Sequence, residues 1–153
     1  MEKLLKELEE QEKVLQFDHF SNEDAIAIGM VLYERAKAEH LPVTIDVARG
    51  DQMLFHLSMP GTTPDNDQWV ARKKKLVRRF CTSSYRMHVS LENSGGKLED
   101  WLGPNHFEYA ANGGCFPVVV KGTGMVGTIT ISGLAQEEDH AMVVAAVKKY
   151  LNK

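Results

Sequence analysis

GGCFPVVVKGTGMVGTITISGL, residues Gly113–Leu134, decides the fold. Phe116–Lys121 and Met125–Ser132 are extended, β-branched runs joined by a Gly-rich turn, the pattern of a β-hairpin. On the second run Met125, Gly127, Ile129 and Ile131 share one face, and Val126, Thr128, Thr130 and Ser132 share the other. The stretch contains a literal G-x-G-x-x-G at Gly122, Gly124 and Gly127. In a dinucleotide fold those glycines must open a helix whose N-terminus holds a pyrophosphate. Here Thr128-Ile129-Thr130-Ile131 alternates straight after them, so the glycines belong to a turn and a strand.

A second hairpin stands upstream, Val43–Ala48 and Gln52–Ser58, around Arg49-Gly50-Asp51. Val43, Ile45 and Val47 must share a face with Met53, Phe55 and Leu57, because these are the large apolar sets. A two-residue loop would put them on opposite faces. A three-residue loop, with Gly50 at positive φ, puts them together. The other face then carries Thr44, Asp46, Leu54, His56 and Ser58. Both hairpins thus show one greasy face and one smaller, more polar face. Arg-Gly-Asp is an adhesion motif in secreted proteins, but at this position it reads as a hairpin tip.

Helical periodicity fills the rest. Leu4, Leu5, Leu8, Val14 and Leu15 mark an amphipathic helix within residues 2–17. Ser21, with Asp24 three residues on, caps a second helix that runs to about His40 before Pro42. Gly29 on its apolar face implies close packing of another element. Met59–Asp65 is a loop by composition. A long helix follows, capped by Asp65 or Asn66, with Trp69, Leu76, Val77, Phe80, Ser84, Met87 and Leu91 as one stripe. Arg72, Lys73, Lys74, Lys75, Arg78 and Arg79 crowd its first half, and Lys73 falls on the apolar side between Trp69, Leu76 and Phe80. Its amine must snorkel along Trp69 or point into a pocket. Leu98–Leu102 forms one turn, Phe107–Ala111 fits a short edge strand, and a last helix runs from acidic Gln136–Asp139 to basic Lys148 and Lys149. His140 sits on the buried side of its first turn.

The order α-α-β-β-α-(β)-β-β-α predicts an α+β fold, a three-layer α/β/α sandwich of profilin-like type. Its sheet is expected to be mainly antiparallel and five-stranded, with helices on both faces. Residues 1–153 read as a single domain, with the helix within 1–17 as a peripheral element. A net charge of −3 gives no basic field for nucleic acid, and no apolar run reaches the ~20 residues that cross a bilayer. The charged opening lacks a signal peptide's apolar core, so a cytoplasmic setting is expected. Cys81 and Cys115, without C-x-x-C spacing, read as partly buried free thiols.

Three segments, Asp65–Tyr85, Leu98–Val118 and Gly122–His140, together resemble the haem-degrading, HbpS-like, GlcG-type family, and most of all its uncharacterised bacterial and fungal branch. The shared marks are Gly113-Gly114-Cys115-Phe116-Pro117 before a hairpin and Ile131-Ser132-Gly133 before the last helix. The resemblance implies an α/β/α domain assembled into symmetric homo-oligomers, with haem bound and degraded by some members. Many members of that branch read His-Gly-Gly where this chain has Asn112-Gly113-Gly114, which removes an obvious iron ligand here.

On that fold the Gly113-Gly114 turn, the polar ends of the sheet and the start of the last helix converge on the central helix. Asn66, Trp69, Lys73, Ser83, Ser84, Asn112, Gly113, Gly114, Phe116 and His140 are the expected cleft residues. Lysine charge and glycine N–H groups suit a small anionic metabolite, such as a carboxylate. Two other readings stand beside it. Non-covalent haem would use His56, His106 or His140 as axial ligand. A partner-binding homo-oligomer without catalysis would use exposed Trp101, Phe107 and Tyr109. Ser83 or Ser84 with His140 and Asp139 is the one nucleophilic arrangement that can be written, and it lacks a nucleophile elbow. No metal site is indicated.

Overall fold

A computed structural model describes all residues, Met1–Lys153. Six helices and four strands follow in the order α1 (Glu2–Val14), α2 (Asn22–Glu39), β1 (Thr44–Arg49), β2 (Gln52–Ser58), α3 (Pro64–Phe80), α4 (Ser84–Ser94), α5 (Leu98–Leu102), β3 (Cys115–Val120), β4 (Gly124–Ser132) and α6 (Gln136–Leu151). The sheet is antiparallel throughout, in the order β2-β1-β4-β3.

The sheet has four strands, not five. Phe107–Ala111 does not form an edge strand; Gly103–Glu108 coils into a 3₁₀ segment opened by Pro104. The outer edge of β3 is already taken by Phe17, whose N–H donates to Val119 O at 2.8 Å and whose carbonyl accepts from Lys121 N at 2.9 Å.

Registry divides the sheet into two chemistries. Phe55, Val47, Ile129 and Phe116 form one cross-strand row, with Leu57, Ile45 and Ile131 in the next. This face packs under α2 and α6 in the main apolar core. The opposite face carries the rows His56–Asp46–Thr130–Cys115 and Ser58–Thr44–Ser132, and α3 covers it. Phe55 and Leu57 do share a face with Val43, Ile45 and Val47, but by another device than a three-residue loop, and Met53, paired with Ala48, falls on the opposite face. Arg49 pairs with Gln52, so the turn is two residues long, and a bulge at Leu54 restores the parity before Phe55 meets Val47. Met53, on the turn side of that bulge, is left exposed.

The Ser21–Asp24 capping box is present on α2, and an ideal Cβ on Gly29 would lie 2.4 Å from the Phe55 ring. The long central helix is in fact two. Cys81 adopts the left-handed conformation at φ 55°, its N–H donates to Val77 O, and Ser83 Oγ then accepts from Arg86 N to start α4. The cap of the first of these helices is Thr63, ahead of Pro64, and not Asp65 or Asn66; Thr63 N donates to Asn66 Oδ1 at 2.9 Å. Beyond the break α4 packs against α1 and also touches α6 and β3. Cys81 is exposed at the break, whereas Cys115 is buried. No helix is long and apolar enough to cross a membrane.

Candidate functional site

The polar face of the sheet ends in a cleft of about 310 Å³ beside α3. Its walls come from the first turns of α3 (Asp65, Asn66, Trp69), the end of β4 (Ser132, Gly133, Leu134), Asn112 before β3, and Gln136 on α6. Lys73 and Asp139 form its floor.

Lys73 is buried, as its place on the apolar stripe requires, and it points inward rather than snorkelling. Its Nζ donates to Ile131 O at 3.1 Å and to Asp139 Oδ2 at 3.2 Å. An ammonium has three N–H groups, so one remains without a protein acceptor. Asp139 in turn accepts from Leu134 N at 3.0 Å and Gly133 N at 3.4 Å. Burial pushes the Lys73 ammonium down and the Asp139 carboxyl up, each opposed by the charge of its partner. Both groups are thus displaced toward their neutral forms.

The two glycines make room for this pair. A Cβ on Gly114, at φ 135°, would lie 2.8 Å from Lys73 Nζ and 2.3 Å from Ile131 O. A Cβ on Gly113 would strike Gln136 O at 2.3 Å. Gln136 locks that turn, because its Oε1 accepts from Gly113 N at 3.0 Å while its Nε2 lies 3.1 Å from His88 Nε2. His88 Nδ1 donates to Ala111 O, and its Nε2 also lies 3.1 Å from Glu92 Oε1.

Of the expected cleft residues, Asn66, Trp69, Lys73 and Asn112 line it, and Gly113 and Gly114 back it. Four lie elsewhere. Ser83 caps α4. Ser84 bonds both the N–H and the carbonyl of Cys115. Phe116 points into the apolar core on the opposite face. His140 is buried against Tyr85, with Nε2 2.9 Å from Gln11 Oε1 and Nδ1 unpartnered. Burial pulls its pKa down to about 4. The serines and His140 therefore share no hydrogen bond, and no nucleophilic triad assembles. Asp65, Ser132, Gly133, Leu134, Gln136 and Asp139 were not foreseen as cleft residues. Asp139 looked like a charge placed for the helix dipole, yet an acid one turn into α6 was the natural counter-ion for an inward-facing lysine.

No group of three or more His, Cys, Asp and Glu side chains could hold a metal ion. The cleft offers no His, Cys, Met or Tyr as a haem ligand.

The model of the family described as "Haem degrading protein HbpS-like" matches residues 20–148. The chain belongs to this HbpS-like family. Relatives at this distance include a UPF0303 protein of Streptomyces coelicolor, 45% identical over 147 residues, which span 96% of this chain and 93% of that one. Among solved structures, the Ybr137w protein superposes with a TM-score of 0.88 at 33% identity, covering 97% of this chain and 87% of that one. A PduOC–haem complex superposes with a TM-score of 0.68 at 18% identity, covering 84% of this chain and 92% of that one, which shows a shared fold. The Gly113-Gly114 and Ser132-Gly133 marks of this HbpS-like chain are the backbone segments that flank Lys73 and Asp139.

Proposed function

We propose that this HbpS-like protein binds a small, oxygen-bearing metabolite, a carboxylate or carbonyl compound, in the cleft between the sheet and α3. The observation that carries the reading is the third N–H of Lys73, left without an acceptor at the floor of a polar cleft. A cleft of about 310 Å³ lies at the small end of the range for ligand sites, about 300–1,000 Å³. The amides of Asn66, Asn112 and Gln136 supply donors and acceptors for a polar ligand, and Trp69 supplies an apolar wall. Charge limits the class. Lys73 is matched by Asp139, and Asp65 adds a negative charge at the rim, so the charges oppose a polyanion and favour a neutral carbonyl compound over a carboxylate. Trp69 fluorescence, followed while hydroxy and oxo acids are titrated, tests the reading. A saturable response that disappears in Asn66→Ala and Asn112→Ala supports it; a flat response to every compound at millimolar concentration sinks it.

Haem is the second reading, supported by the family and by one local feature. His106 Nδ1 donates to Gly103 O at 2.9 Å, which leaves Nε2 with a lone pair near the exposed ring of Phe107. A Soret shift on adding haemin that is lost in His106→Ala would favour it. A homo-oligomeric assembly is the third reading. It fits the apolar groove between α2 and α6, where Met30 stays exposed, and sedimentation at micromolar concentration tests it.

A further inference from the structure

We infer that Lys73 is a reactive amine, and that the cleft takes aldehydes or ketones and condenses them with its Nζ to form an imine. This rests on the ligand-binding reading above and narrows it to one chemistry. The placement is the first argument. Lysines that form Schiff bases must be held away from water and stripped of their proton beside an acid–base partner. Lys73 lines the floor of the cleft, almost wholly removed from solvent, with Asp139 Oδ2 at 3.2 Å and one N–H position unfilled. No other lysine combines this depth with a cleft: Lys74, the next most buried in an ion pair, lies against Asp46, and Lys75 and Lys121 have half-exposed side chains.

The second argument is the room left at the nitrogen. Gly114 has no side chain where a Cβ would come within 2.8 Å of Nζ, so the backbone turn clears the approach rather than filling it. The third is proton traffic. Burial moves both partners toward a neutral amine and a neutral acid, so passing the ammonium proton to Asp139 is favoured by the same desolvation that isolates the pair.

The step balances without an added oxidant or reductant. Lys73 Nζ–H₃⁺ passes one proton to the Asp139 carboxylate, and the freed lone pair attacks the carbonyl carbon, forming the C–N bond. The carbonyl oxygen takes the proton from Asp139, and the nitrogen gives one back to it, which leaves a carbinolamine. Asp139 then protonates the hydroxyl, water departs, and the nitrogen lone pair closes the C=N bond. Asn66, Asn112 and Gln136 are placed to hold the remaining oxygens of the substrate.

The test uses the full chain with pyruvate, glyoxylate and glycolaldehyde as probes, with and without cyanoborohydride, followed by intact mass and peptide mapping. Reductive trapping concentrated at Lys73, at least tenfold above any other lysine, is the expected result. The label at Lys73 should fall at least tenfold in Asp139→Asn, which keeps the amine but removes the proton acceptor. Labelling spread evenly over surface lysines overturns the inference, and wild-type mapping reads this even if a variant fails to fold. Lactate, which has no carbonyl, separates the two claims. Saturable Trp69 quenching by lactate without any Lys73 adduct from the carbonyl probes refutes the amine chemistry and leaves the binding reading intact. Neither quenching nor adduct refutes both.

Discussion

Removing the Lys73 and Asp139 charges one at a time and together gives a sharp measure of the site. The two partners are not equivalent. In Lys73→Met the carboxylate keeps Leu134 N at 3.0 Å and Gly133 N at 3.4 Å, and it stays in the first turn of α6, where the helix dipole favours it. In Asp139→Leu the ammonium keeps only Ile131 O at 3.1 Å, and both backbone N–H groups lose their acceptor. Breaking a buried pair costs about 3–5 kcal/mol, so Lys73→Met belongs near the lower figure and Asp139→Leu near the upper. The double variant removes both charges and forfeits mainly the acceptor for two N–H groups; each would cost about 1–3 kcal/mol if buried, and less here because Gly133 is exposed and Leu134 half-buried, so water can replace the acceptor. It should therefore be more stable than either single variant. Urea denaturation measures all four proteins.

The pH dependence gives a second handle on the same variants. A carboxyl raised in the native state holds extra protons above its usual 3.8, so native stability falls as pH rises through that window. A lysine lowered in the native state releases protons below its usual 10.5, so stability rises with pH there. Each lone charge is thus relieved from a different side. The Lys73→Met deficit should shrink toward pH 4, and the Asp139→Leu deficit should shrink toward pH 10. Additive single-variant losses, or two deficits that move in the same direction with pH, would refute the description of the pair.

Asp24 ties the start of α2 to the end of α6. Burial raises its pKa, but bonds from the Tyr150 hydroxyl, Ser21 and His19 outweigh this and hold it at about 2. Its stabilisation is present above pH 3.8 and is lost as pH falls through 2, so Asp24→Asn should cost about 1–2 kcal/mol at pH 7 and almost nothing at pH 2. His140, drawn down to about 4 from 6.5, stays neutral in the native state while the unfolded chain protonates. Acidifying from pH 6.5 to 4 should cost about 3 kcal/mol in wild type, and His140→Leu should flatten that slope in urea titrations. Gly29→Ala gains about 1 kcal/mol of helix propensity but drives a methyl into the Phe55 ring. A net loss of about 1–2 kcal/mol in thermal melts is expected. Thiol titration should count one fast cysteine in the native protein, the exposed Cys81, and a second only on unfolding, because burial pushes Cys115 up to about 12.

Much of this site was legible because it follows from local rules. Alternation in Val43–Ser58 and Phe116–Ser132 separates an apolar from a polar sheet face, and helical spacing puts Lys73 inward. What escaped depends on contacts between distant segments. The bulge at Leu54 and a three-residue loop give the same facial parity, so periodicity alone cannot choose between them. The break at Cys81 has no glycine or proline to announce it; a non-glycine residue takes the left-handed cap, and Ser83 restarts the helix behind it. Phe107–Ala111 has strand composition, but a strand also needs an open edge, and Phe17 occupies the one beside β3. His140 and Phe116 lie near the cleft in sequence, yet one is turned toward α1 and the other through the sheet.

The basic run Arg72–Arg79 shows why composition misleads about a surface. Read alone it resembles a site for a polyanion, yet these cations are engaged within the chain. Arg72 lies 4.5 Å over the Trp69 ring and donates to Phe107 O at 3.0 Å. Lys74 meets the buried Asp46 at 3.1 Å. Lys75 and Arg79 hold Tyr109, and Arg78 reaches Gly50 O at the tip of the first hairpin. The charges therefore fasten the 3₁₀ segment and the hairpin to the outer side of α3. Arg72 gives this a functional edge, since it stacks on the same indole that walls the cleft. The outer face of α3 braces Trp69 from without while Lys73 and Asp139 set the chemistry within. One helix thus carries its cations in two environments, an outer set engaged with neighbouring segments and a single buried amine, Lys73, at the cleft.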